Sequence, residues 1–340
     1  MQNLKFSILI PSYNGEDVIA LALKSVLSQS YENYEVVVND DASTDRTLMV
    51  VKSITDKRIK IFNNKKNLGY PRNLNKSLEH AKGDIIYLLG QDDILSTDAI
   101  SRTNKAFQIA KDIGAVTRPY RWFDDDLEVT VRARLPLNPN KNEVVKITDN
   151  FKRVVEVFKS LDSLSALALR AKFIDRPFHP DIFPSHVYPF ASIFKKHPVV
   201  FLKDYVSSVS MKNSQCRFVS SIYDKSPILS WVQMFENVFP EKKFEKLRKY
   251  CIENFAAVNY VGLAQIKNYS YHEYRYTLRE IFYLLKYRPL NVINPIFWIF
   301  SLGAFLTPPS ILIPLVDMYK KKVNTSVYKD IKFKHKTVFN

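Results

Sequence analysis

The stretch VVVNDDASTD, residues 36–45, joins three hydrophobic β-branched residues directly to two adjacent carboxylates, Asp40 and Asp41. The valines continue an apolar run that starts at Tyr34, and such a run predicts a buried strand. Two unpaired carboxylates would be costly inside an apolar core. We therefore predict a strand over 34–38 that ends at the edge of a sheet and places both acidic side chains in a cleft.

On either side of this stretch, apolar runs of strand length alternate with apolar residues at helical spacing through the first 120 residues. Strands are predicted over 6–10, 34–38, 59–62 and 85–89, and helices over 18–27, 48–54, 74–81 and 98–110. This alternation indicates βαβ units. The predicted fold class is α/β, with a Rossmann-like, mostly parallel sheet flanked by helices.

The pattern changes twice further along the chain. Residues 121–222 combine short strands and loops with a helix near 149–159, a strand near 164–169 and an ordered loop over 177–189. From residue 228 onwards, apolar and aromatic residues recur at helical spacing with lysines between them. The sequence therefore predicts three regions, 1–120, 121–222 and a helical C-terminal extension over 223–340.

The net charge is +16, and residues 241–340 alone carry 17 basic and 7 acidic residues. Strong positive charge is typical of proteins that bind nucleic acid or an anionic membrane surface. The basic runs follow no known nucleic-acid-binding module, so we expect no nucleic acid partner. Only two cysteines are present, and the apolar run at the N-terminus is too short for a signal peptide. Both features favour the cytoplasm.

Residues 291–316 contain no charged side chain, and basic residues flank them on both sides. Prolines interrupt the stretch at 295, 308, 309 and 314. We therefore predict a broken helical hairpin that lies in the membrane interface or dips into it. The alternative is a buried helix pair of the soluble body. The first interpretation places the protein in the cytoplasm, peripheral or monotopic at the inner face of the cell membrane.

Three of the predicted strands end in polar clusters: PSYN at 11–14, NDDASTD at 39–45 and GQDD at 90–93. In an open parallel sheet, ligands bind beyond the carboxyl ends of the strands, so we expect the clusters on one rim. Carboxylates there can accept hydrogen bonds from a nucleoside or hold a hard divalent cation beside a diphosphate. The clusters thus suggest a nucleotide diphosphate with Mg²⁺ or Mn²⁺. The alternative is that they only form Asx-turns and begin helices.

The sequence FSILIPSYNGEDVIALALKSVLSQSYENYEVVVNDDASTDRT, followed by NLGYPRNLNKSLEHAKGDIIYLLGQDD, resembles the GT-A domain of family 2 inverting glycosyltransferases. The resemblance is close over residues 4–120 and looser over the next hundred or so. It implies a GT-A fold with a nucleotide-sugar-binding half over 1–120 and an acceptor-binding half over 121–222. It also implies a nucleotide-diphosphate sugar donor, with UDP as the expected nucleotide, and a divalent metal, Mn²⁺ or Mg²⁺. The acceptor would be a hydroxyl of a glycan or lipid-linked glycan in bacterial cell-surface polysaccharide synthesis.

The resemblance also assigns roles to residues of the three clusters. Pro11 and Tyr13 would flank the nucleobase, with the tyrosine ring packed on it. Asp41 would accept the base N–H. Asp93 would be the direct metal ligand, and Asp92 would lie near the ribose or a water of the metal.

In the resembled family, the base that takes the acceptor proton is an Asp before an aromatic-rich helix. The matching segment is FPSHVYPFASIFKKH, residues 183–197, and the Asp position falls on His186. Imidazole suits the role because its unperturbed pKa is about 6.5. Asp181 is the competing carboxylate, and the other role for His186 is to bind the acceptor or close the cleft. The missing carboxylate also leaves open a nucleotide-sugar-binding protein without turnover.

Three further positions match the family only in part. Arg72 falls in a segment that often lines the nucleotide pocket, or it is a solvated arginine at a helix N-terminus. Lys212 stands near the place of a family histidine and would neutralise the diphosphate, or it is an exposed basic side chain. Ala42 replaces the usual glycine after the acidic pair, which fits the family pattern if this position keeps an ordinary φ.

Overall fold

The computed structural model describes residues 3–212, 215–271, 273–319 and 327–336. The chain forms two compact units. The first comprises Met1–Pro180, Ser185–Met211 and Asp330–Asn340, and the second comprises Asp181–Pro184 and Lys212–Lys329. The regions predicted over 1–120, 121–222 and 223–340 concern ligand binding and membrane association, and they stay predictions.

The first unit contains the strands, most of which are buried. In chain order they are β1 (Phe6–Ser12), β2 (Tyr34–Asp40), β3 (Ile59–Asn63), β4 (Ile85–Leu88), β5 (Ile94–Leu95), β6 (Ala115–Thr117), β7 (Tyr120–Phe123), β8 (Arg132–Arg134), β9 (Glu143–Val145), β10 (Ala168–Arg170), β11 (Val199–Phe201) and β12 (Ser207–Ser210). Its helices are α1 (Ile19–Leu27), α2 (Thr47–Ser53), α3 (Tyr70–His80), α4 (Ala99–Phe107), α5 (Phe151–Lys159) and α6 (Val187–Phe194). The strand–helix alternation predicted for the first 120 residues is present.

The main sheet has eight strands in the order β3-β2-β1-β4-β10-β6-β11-β9. The first four strands in this order are parallel, and Ile8 of β1 pairs with Val36 of β2 and with Tyr87 of β4. β10 is antiparallel to both neighbours, β6 and β11 are parallel, and β9 is antiparallel at the edge. A smaller sheet has the order β5-β12-β7-β8. The predicted α/β class, with a large sheet flanked by helices, is confirmed.

The central strands are buried because helices pack against the sheet. Every residue of β1 and β2 is buried, which explains their nearly continuous apolar sequence. One core cluster joins Ile8, Val36 and Tyr87 of the strands to Leu23 of α1 and Phe107 of α4. The strand ends are therefore where polar groups can meet a ligand.

Two local predictions are confirmed only in part, because their boundaries differ from those of the structure. The sequence predicts a loop over 177–189, but α6 begins at Val187. Every residue of this helix, VYPFASIF, is buried within the first unit. The sequence predicts a strand near 164–169, but β10 spans Ala168–Arg170, where pairing with β4 and β6 sets its limits. In both cases packing against distant residues decided the boundary.

The second unit is helical, as predicted for the C-terminal extension. Its helices are α7 (Gln215–Phe218), α8 (Pro227–Val238), α9 (Glu245–Asn254), α10 (Val261–Tyr269), α11 (Tyr274–Tyr287), α12 (Pro295–Leu306) and α13 (Pro309–Tyr319). Its core includes Ile228, Tyr260, Leu263, Leu284 and Phe297. Within the described ranges, no helix combines the length and the apolar character that crossing a membrane requires. The hairpin predicted over 291–316 takes the form of α12 and α13, with a break at residues 307–308.

Candidate active site

Three parallel strands bring the predicted polar clusters to one edge of the main sheet. β2 and β4 pair with β1 on either side, and all three run in the same direction. Tyr13 follows β1, Asp41 follows β2, and residues 91–93 follow β4. The Asp41 amide donates a hydrogen bond to the Ser12 carbonyl at 2.8 Å. The carboxyl-terminal edge therefore carries all three clusters, which is where ligands bind in open parallel sheets.

Asp41 is held by donors from the segment before α3. Its side chain is buried, and Oδ1 accepts hydrogen bonds from Asn64 Nδ2 at 2.8 Å and from the Leu68 amide at 2.9 Å. The Gly69 amide donates to Oδ2 at 2.9 Å. A carboxylate offers about four acceptor positions, so these three bonds leave room for one more donor on Oδ2. Asp41 is thus a fixed acceptor at the strand edge.

Three asparagines, which sequence reasoning missed, hold the segments around Asp41 together. Asn39 Nδ2 and Asn64 Nδ2 both donate to Asn73 Oδ1, at 2.5 and 2.9 Å. Asn73 Nδ2 in turn donates to the Asn39 carbonyl at 2.9 Å. The sequence did contain a signal for them, because each of the three asparagines lies near the end of an element, in the sequences NDD, FNN and PRN. This amide network ties β2 to α3 and to the chain after β3.

The turn after Asp41 places a non-glycine residue in the left-handed region. Ala42 has a φ of 58°, so the expectation of an ordinary φ here is wrong. Asp40 accepts hydrogen bonds from the amide and the hydroxyl of Ser43, at 2.9 and 2.6 Å, and these bonds close the turn around Ala42. A left-handed conformation costs an L-residue about 1–2 kcal/mol. The acidic turn is therefore locally strained.

The loop after β1 is fixed by Gln91. The Tyr13 amide donates to Gln91 Oε1, and Gln91 Nε2 donates to the Tyr13 carbonyl, both at 3.0 Å. A Cβ on Gly15 would lie 2.5 Å from Gln91 Oε1, so a larger residue there would displace the Gln91 amide. The Tyr13 side chain is 39% exposed and accessible to a ligand. Pro11 is buried within β1.

Asp92 and Asp93 form a poorly solvated acidic pair. Asp93 is buried, the Ser165 hydroxyl donates to its Oδ2, and the Ser210 amide donates to its Oδ1 at 2.8 Å. Burial raises the pKa of Asp93 to about 6. Burial and the neighbouring Asp93 raise the pKa of Asp92 well above its ordinary value. A bound cation would therefore relieve an unfavourable concentration of negative charge.

This donor set fits a hard divalent cation such as Mn²⁺ or Mg²⁺, because both ions prefer oxygen ligands. In the part of the chain that the structure describes, no group of three or more His, Cys, Asp or Glu side chains is arranged to hold a metal. Asp93 and Asp92 are the residues that would hold such an ion.

Arg118, which sequence reasoning also missed, is fully buried near the acidic pair. Its guanidinium donates to the carbonyls of Ser160, Ser163 and Ser165 at 3.0, 2.8 and 2.7 Å. Burial lowers the pKa of Arg118 to about 10, so the group remains charged at neutral pH. That charge acts to lower the pKa of Asp93 and partly offsets the effect of burial. The available signal was a basic residue directly after the apolar run of β6.

His186 precedes α6 and is buried. Its Nε2 lies 2.8 Å from the Leu161 carbonyl, which can only accept, so Nε2 carries the proton. Among the described residues, Nδ1 is buried with no hydrogen-bond partner. Burial, assisted by the nearby charge of Arg118, lowers the pKa of His186 to about 4. At pH 7 the ring is therefore neutral and offers a lone pair on Nδ1.

The contacts described above do not involve three other predicted residues. Arg72 is exposed in the first turn of α3. Asp181 belongs to the second unit, where it forms an ion pair with Lys225. Lys212 is exposed and also belongs to the second unit. The strand edge thus brings together the clusters of the first unit, while the roles of Arg72, Asp181 and Lys212 stay predictions.

Known protein sequences resemble the N-terminal half of this chain. Residues 7–161 match a model described as Glycosyl transferase family 2. The UDP-Glc:alpha-D-GlcNAc-diphosphoundecaprenol beta-1,3-glucosyltransferase WfgD of Escherichia coli is 40% identical over 94 residues, 28% of this chain and 37% of that protein. The GalNAc(5)-diNAcBac-PP-undecaprenol beta-1,3-glucosyltransferase of Campylobacter jejuni is 35% identical over 100 residues, 28% of this chain and 32% of that protein. The aligned region thus spans less than half the length of these relatives.

Solved structures share the fold. TarS 1-349 of S. aureus in complex with UDP matches with a TM-score of 0.63 at 16% sequence identity, covering 99% of this chain and 94% of that chain. The mannosyltransferase PcManGT from Pyrobaculum calidifontis, in complex with GDP-Man and Mn²⁺, matches with a TM-score of 0.55 at 16% identity, covering 97% of this chain and 88% of that chain. At these identities the matches establish the fold, which agrees with the predicted GT-A class.

Proposed function

We propose that the protein transfers a sugar from a nucleotide-diphosphate sugar to an acceptor hydroxyl with inversion at the anomeric carbon. The match of residues 7–161 to the model of glycosyl transferase family 2 supports this reaction. UDP is the expected nucleotide, and the UDP-Glc donor named for the Escherichia coli relative supports this choice. The acceptor is a glycan or a lipid-linked glycan in bacterial cell-surface polysaccharide synthesis. The undecaprenol-linked substrates named for two relatives support this class of acceptor.

The observation that carries the proposal is that Asp41 and the Asp92–Asp93 pair follow parallel strands that end at the same edge of the sheet. β1 lies between β2 and β4, so the loop with Tyr13 lies between the two acidic groups. Asp41 supplies a fixed acceptor for a base N–H, and Tyr13 supplies an exposed ring for stacking. The acidic pair lies on the other side, where the diphosphate of the same donor would be placed.

The diphosphate needs positive charge beside the acidic pair. A Mn²⁺ or Mg²⁺ ion held by Asp93 and Asp92 would stabilise the charge of the leaving diphosphate. The Ser165 hydroxyl and the Ser210 amide keep Asp93 oriented for this task. Lys212 is proposed as an additional cation for the diphosphate, and Arg72 as a residue lining the nucleotide pocket.

In the transfer step, the acceptor oxygen bonds to the anomeric carbon while the bond from that carbon to the diphosphate breaks. The bonding electron pair leaves with the nucleoside diphosphate, and the hydroxyl proton passes to a base. We assign the base to His186 Nδ1, because Nε2 already donates to the Leu161 carbonyl and Nδ1 keeps its lone pair. Asp181 is the alternative base.

A lipid-linked acceptor would be presented at the membrane. We therefore place the protein in the cytoplasm, peripheral or monotopic at the inner face of the cell membrane. The support is the excess of 17 basic over 7 acidic residues in 241–340, since basic segments are attracted to anionic lipid surfaces.

Thermal unfolding with UDP, GDP or CDP, each with and without Mn²⁺, tests the donor site. A ligand that binds only the folded state raises Tm. We expect UDP with Mn²⁺ to give the largest rise, and Asp93→Asn to abolish the part that depends on Mn²⁺. Asp112→Asn is the matched control, because this exposed carboxylate precedes β6 at the opposite edge of the sheet. No rise in Tm with any nucleotide would contradict the proposal.

A second candidate is a nucleotide-sugar-binding protein without turnover. It is favoured by His186, which stands where the resembled family has a carboxylate and whose pKa of about 4 makes it a weak base. Incubation of the wild-type protein with UDP-sugars, Mn²⁺ and a glycan acceptor separates the two. Release of UDP with formation of a glycosylated product supports the transferase, and binding without either supports the second candidate.

A further inference from the structure

Helix α12 is apolar on two opposite faces. Its inner face packs into the second unit through Phe297, Ser301 and Ala304. Its outer face is exposed and consists of Ile296, Ile299, Leu302 and Leu306. A helix that borders water normally carries polar residues on its outer face. Ile299 and Leu306 are instead 69% and 70% exposed. The outer face therefore has the composition of a binding surface.

The turn before α12, residues Pro289–Ile293, presents more apolar side chains to solvent. Leu290 and Val292 are exposed, and Ile293 is 77% exposed. The central Asn291 is fully buried and fixes the turn. Its Oδ1 accepts from the Tyr260 hydroxyl at 2.5 Å, and its Nδ2 donates to the carbonyls of Ala257 and Leu284, both at 2.9 Å. A buried polar network therefore holds these apolar side chains outward.

Trp298 connects the turn with α12. Its Nε1 donates to the Val292 carbonyl at 2.8 Å, and part of its ring is exposed. A tryptophan with a satisfied N–H and an apolar ring is typical of the boundary between membrane and water. The neighbouring helix α11 adds exposed Leu278 and Phe282 at a spacing of one turn. Exposed apolar side chains in the second unit are therefore not confined to a single helix.

Positive charge adjoins this apolar surface. Lys286 is exposed one helical turn after Phe282 on α11, and Lys320, Lys321 and Lys322 follow α13 in the sequence, outside the described residues. Residues 289–316 carry no charge. An anionic lipid surface complements both features, because its headgroups attract lysines and its acyl region accepts apolar side chains. A second copy of this chain, with its net charge of +16, would instead bring like charges together.

We propose that the apolar face formed by Leu290, Val292, Ile293, Ile296, Ile299, Leu302 and Leu306 seats the protein on an anionic membrane, with α12 lying along the interface. This inference rests on the membrane location in the proposed function and identifies the surface responsible. Because Asn291 satisfies the carbonyls and the hydroxyl beneath the turn, the apolar side chains can enter the lipid without exposing unpaired polar groups to it.

Flotation of the full chain with vesicles tests the proposal. We expect binding to phosphatidylcholine vesicles that contain phosphatidylglycerol, and weaker binding to phosphatidylcholine alone. Leu290→Gln combined with Leu306→Gln should lower the partition coefficient roughly tenfold or more. Ile109→Gln combined with Leu135→Gln is the matched control, since both residues are exposed apolar side chains of the first unit, and it should bind as the wild type does.

Brominated lipids give a readout that does not depend on the glutamine variants folding. They should quench the tryptophan fluorescence of the wild-type protein on anionic vesicles, and Trp298→Phe should lose most of that quenching. Absence of quenching in the wild type would overturn the proposal.

The remaining outcomes separate this inference from the proposed function. Unchanged flotation of the Leu290→Gln, Leu306→Gln protein would overturn the inference. A wild-type dimer that this variant dissociates, without binding to vesicles, would also overturn it and identify a second copy as the partner. Flotation that depends on the apolar face, without release of UDP from donor in solution, would support the inference and contradict the transferase.

Discussion

His186 should lower the stability of the folded protein in mild acid. The pKa of the ring falls from an ordinary 6.5 to about 4 because the folded protein buries it. Between pH 6.5 and 4, the unfolded chain therefore binds a proton at this position that the folded protein does not bind. The unfolding free energy therefore rises with pH across this window. The contribution of the buried neutral ring is fully present above pH 6.5 and is lost as the pH falls towards 4.

The expected size of the effect follows from the shift. Each pKa unit corresponds to about 1.4 kcal/mol, so a shift of roughly 2.5 units removes about 2.5 kcal/mol of unfolding free energy between pH 7 and pH 4.5. Urea unfolding of the wild type and of His186→Gln at both pH values measures it. Glutamine does not titrate and has an amide nitrogen for the Leu161 carbonyl. Other groups, including Asp92 and Asp93, titrate in both proteins and cancel in the comparison.

We expect the unfolding free energy of the wild type, relative to that of His186→Gln, to fall by about 2.5 kcal/mol between pH 7 and pH 4.5. The same variant tests the proposed base, because loss of a general base lowers kcat by about 10²–10⁴-fold. A difference between the two proteins that does not change with pH would refute the buried neutral ring. If the variant keeps most of its kcat, His186 is not the base, and Asp181 becomes the candidate for that role.

Three further predictions concern the residues around the strand edge. Ala42→Gly should stabilise the protein by about 0.5–1 kcal/mol, because glycine relieves the left-handed strain, whereas Ala81→Gly, at φ −72°, should destabilise it in the same urea assay. Gln91→Ala should weaken UDP binding about tenfold, measured by calorimetry with Mn²⁺, because the Tyr13 backbone loses two hydrogen bonds. An unchanged affinity would contradict the role of Gln91 in holding the Tyr13 loop. Arg118→Met should cost about 3–5 kcal/mol of unfolding free energy, since three carbonyls lose a buried donor; a loss below about 1 kcal/mol would contradict this assignment.

The sequence by itself determined the α/β class and the place of the acidic clusters. Apolar runs of strand length alternate with helical periodicity, and this order of elements permits few arrangements other than a parallel sheet with helices packed against it. Asp41 comes directly after β2, and Asp93 lies in the short loop after β4. Because parallel strands end at the same edge, the position of each carboxylate along the chain was enough to predict that both would lie there.

Only the tertiary structure decided how those carboxylates are held. Arg118, Asn73 and Ser165 contact segments tens of residues away, and no local pattern distinguishes them from ordinary polar residues. The turn that contains Ala42 is also held by a distant segment, because the Asn14 amide donates to Ser43 Oγ at 3.0 Å and the Thr44 amide donates to Asn14 Oδ1 at 2.9 Å. Local periodicity reports which face of an element is buried, whereas hydrogen bonds between distant segments form only after the sheet has brought those segments together.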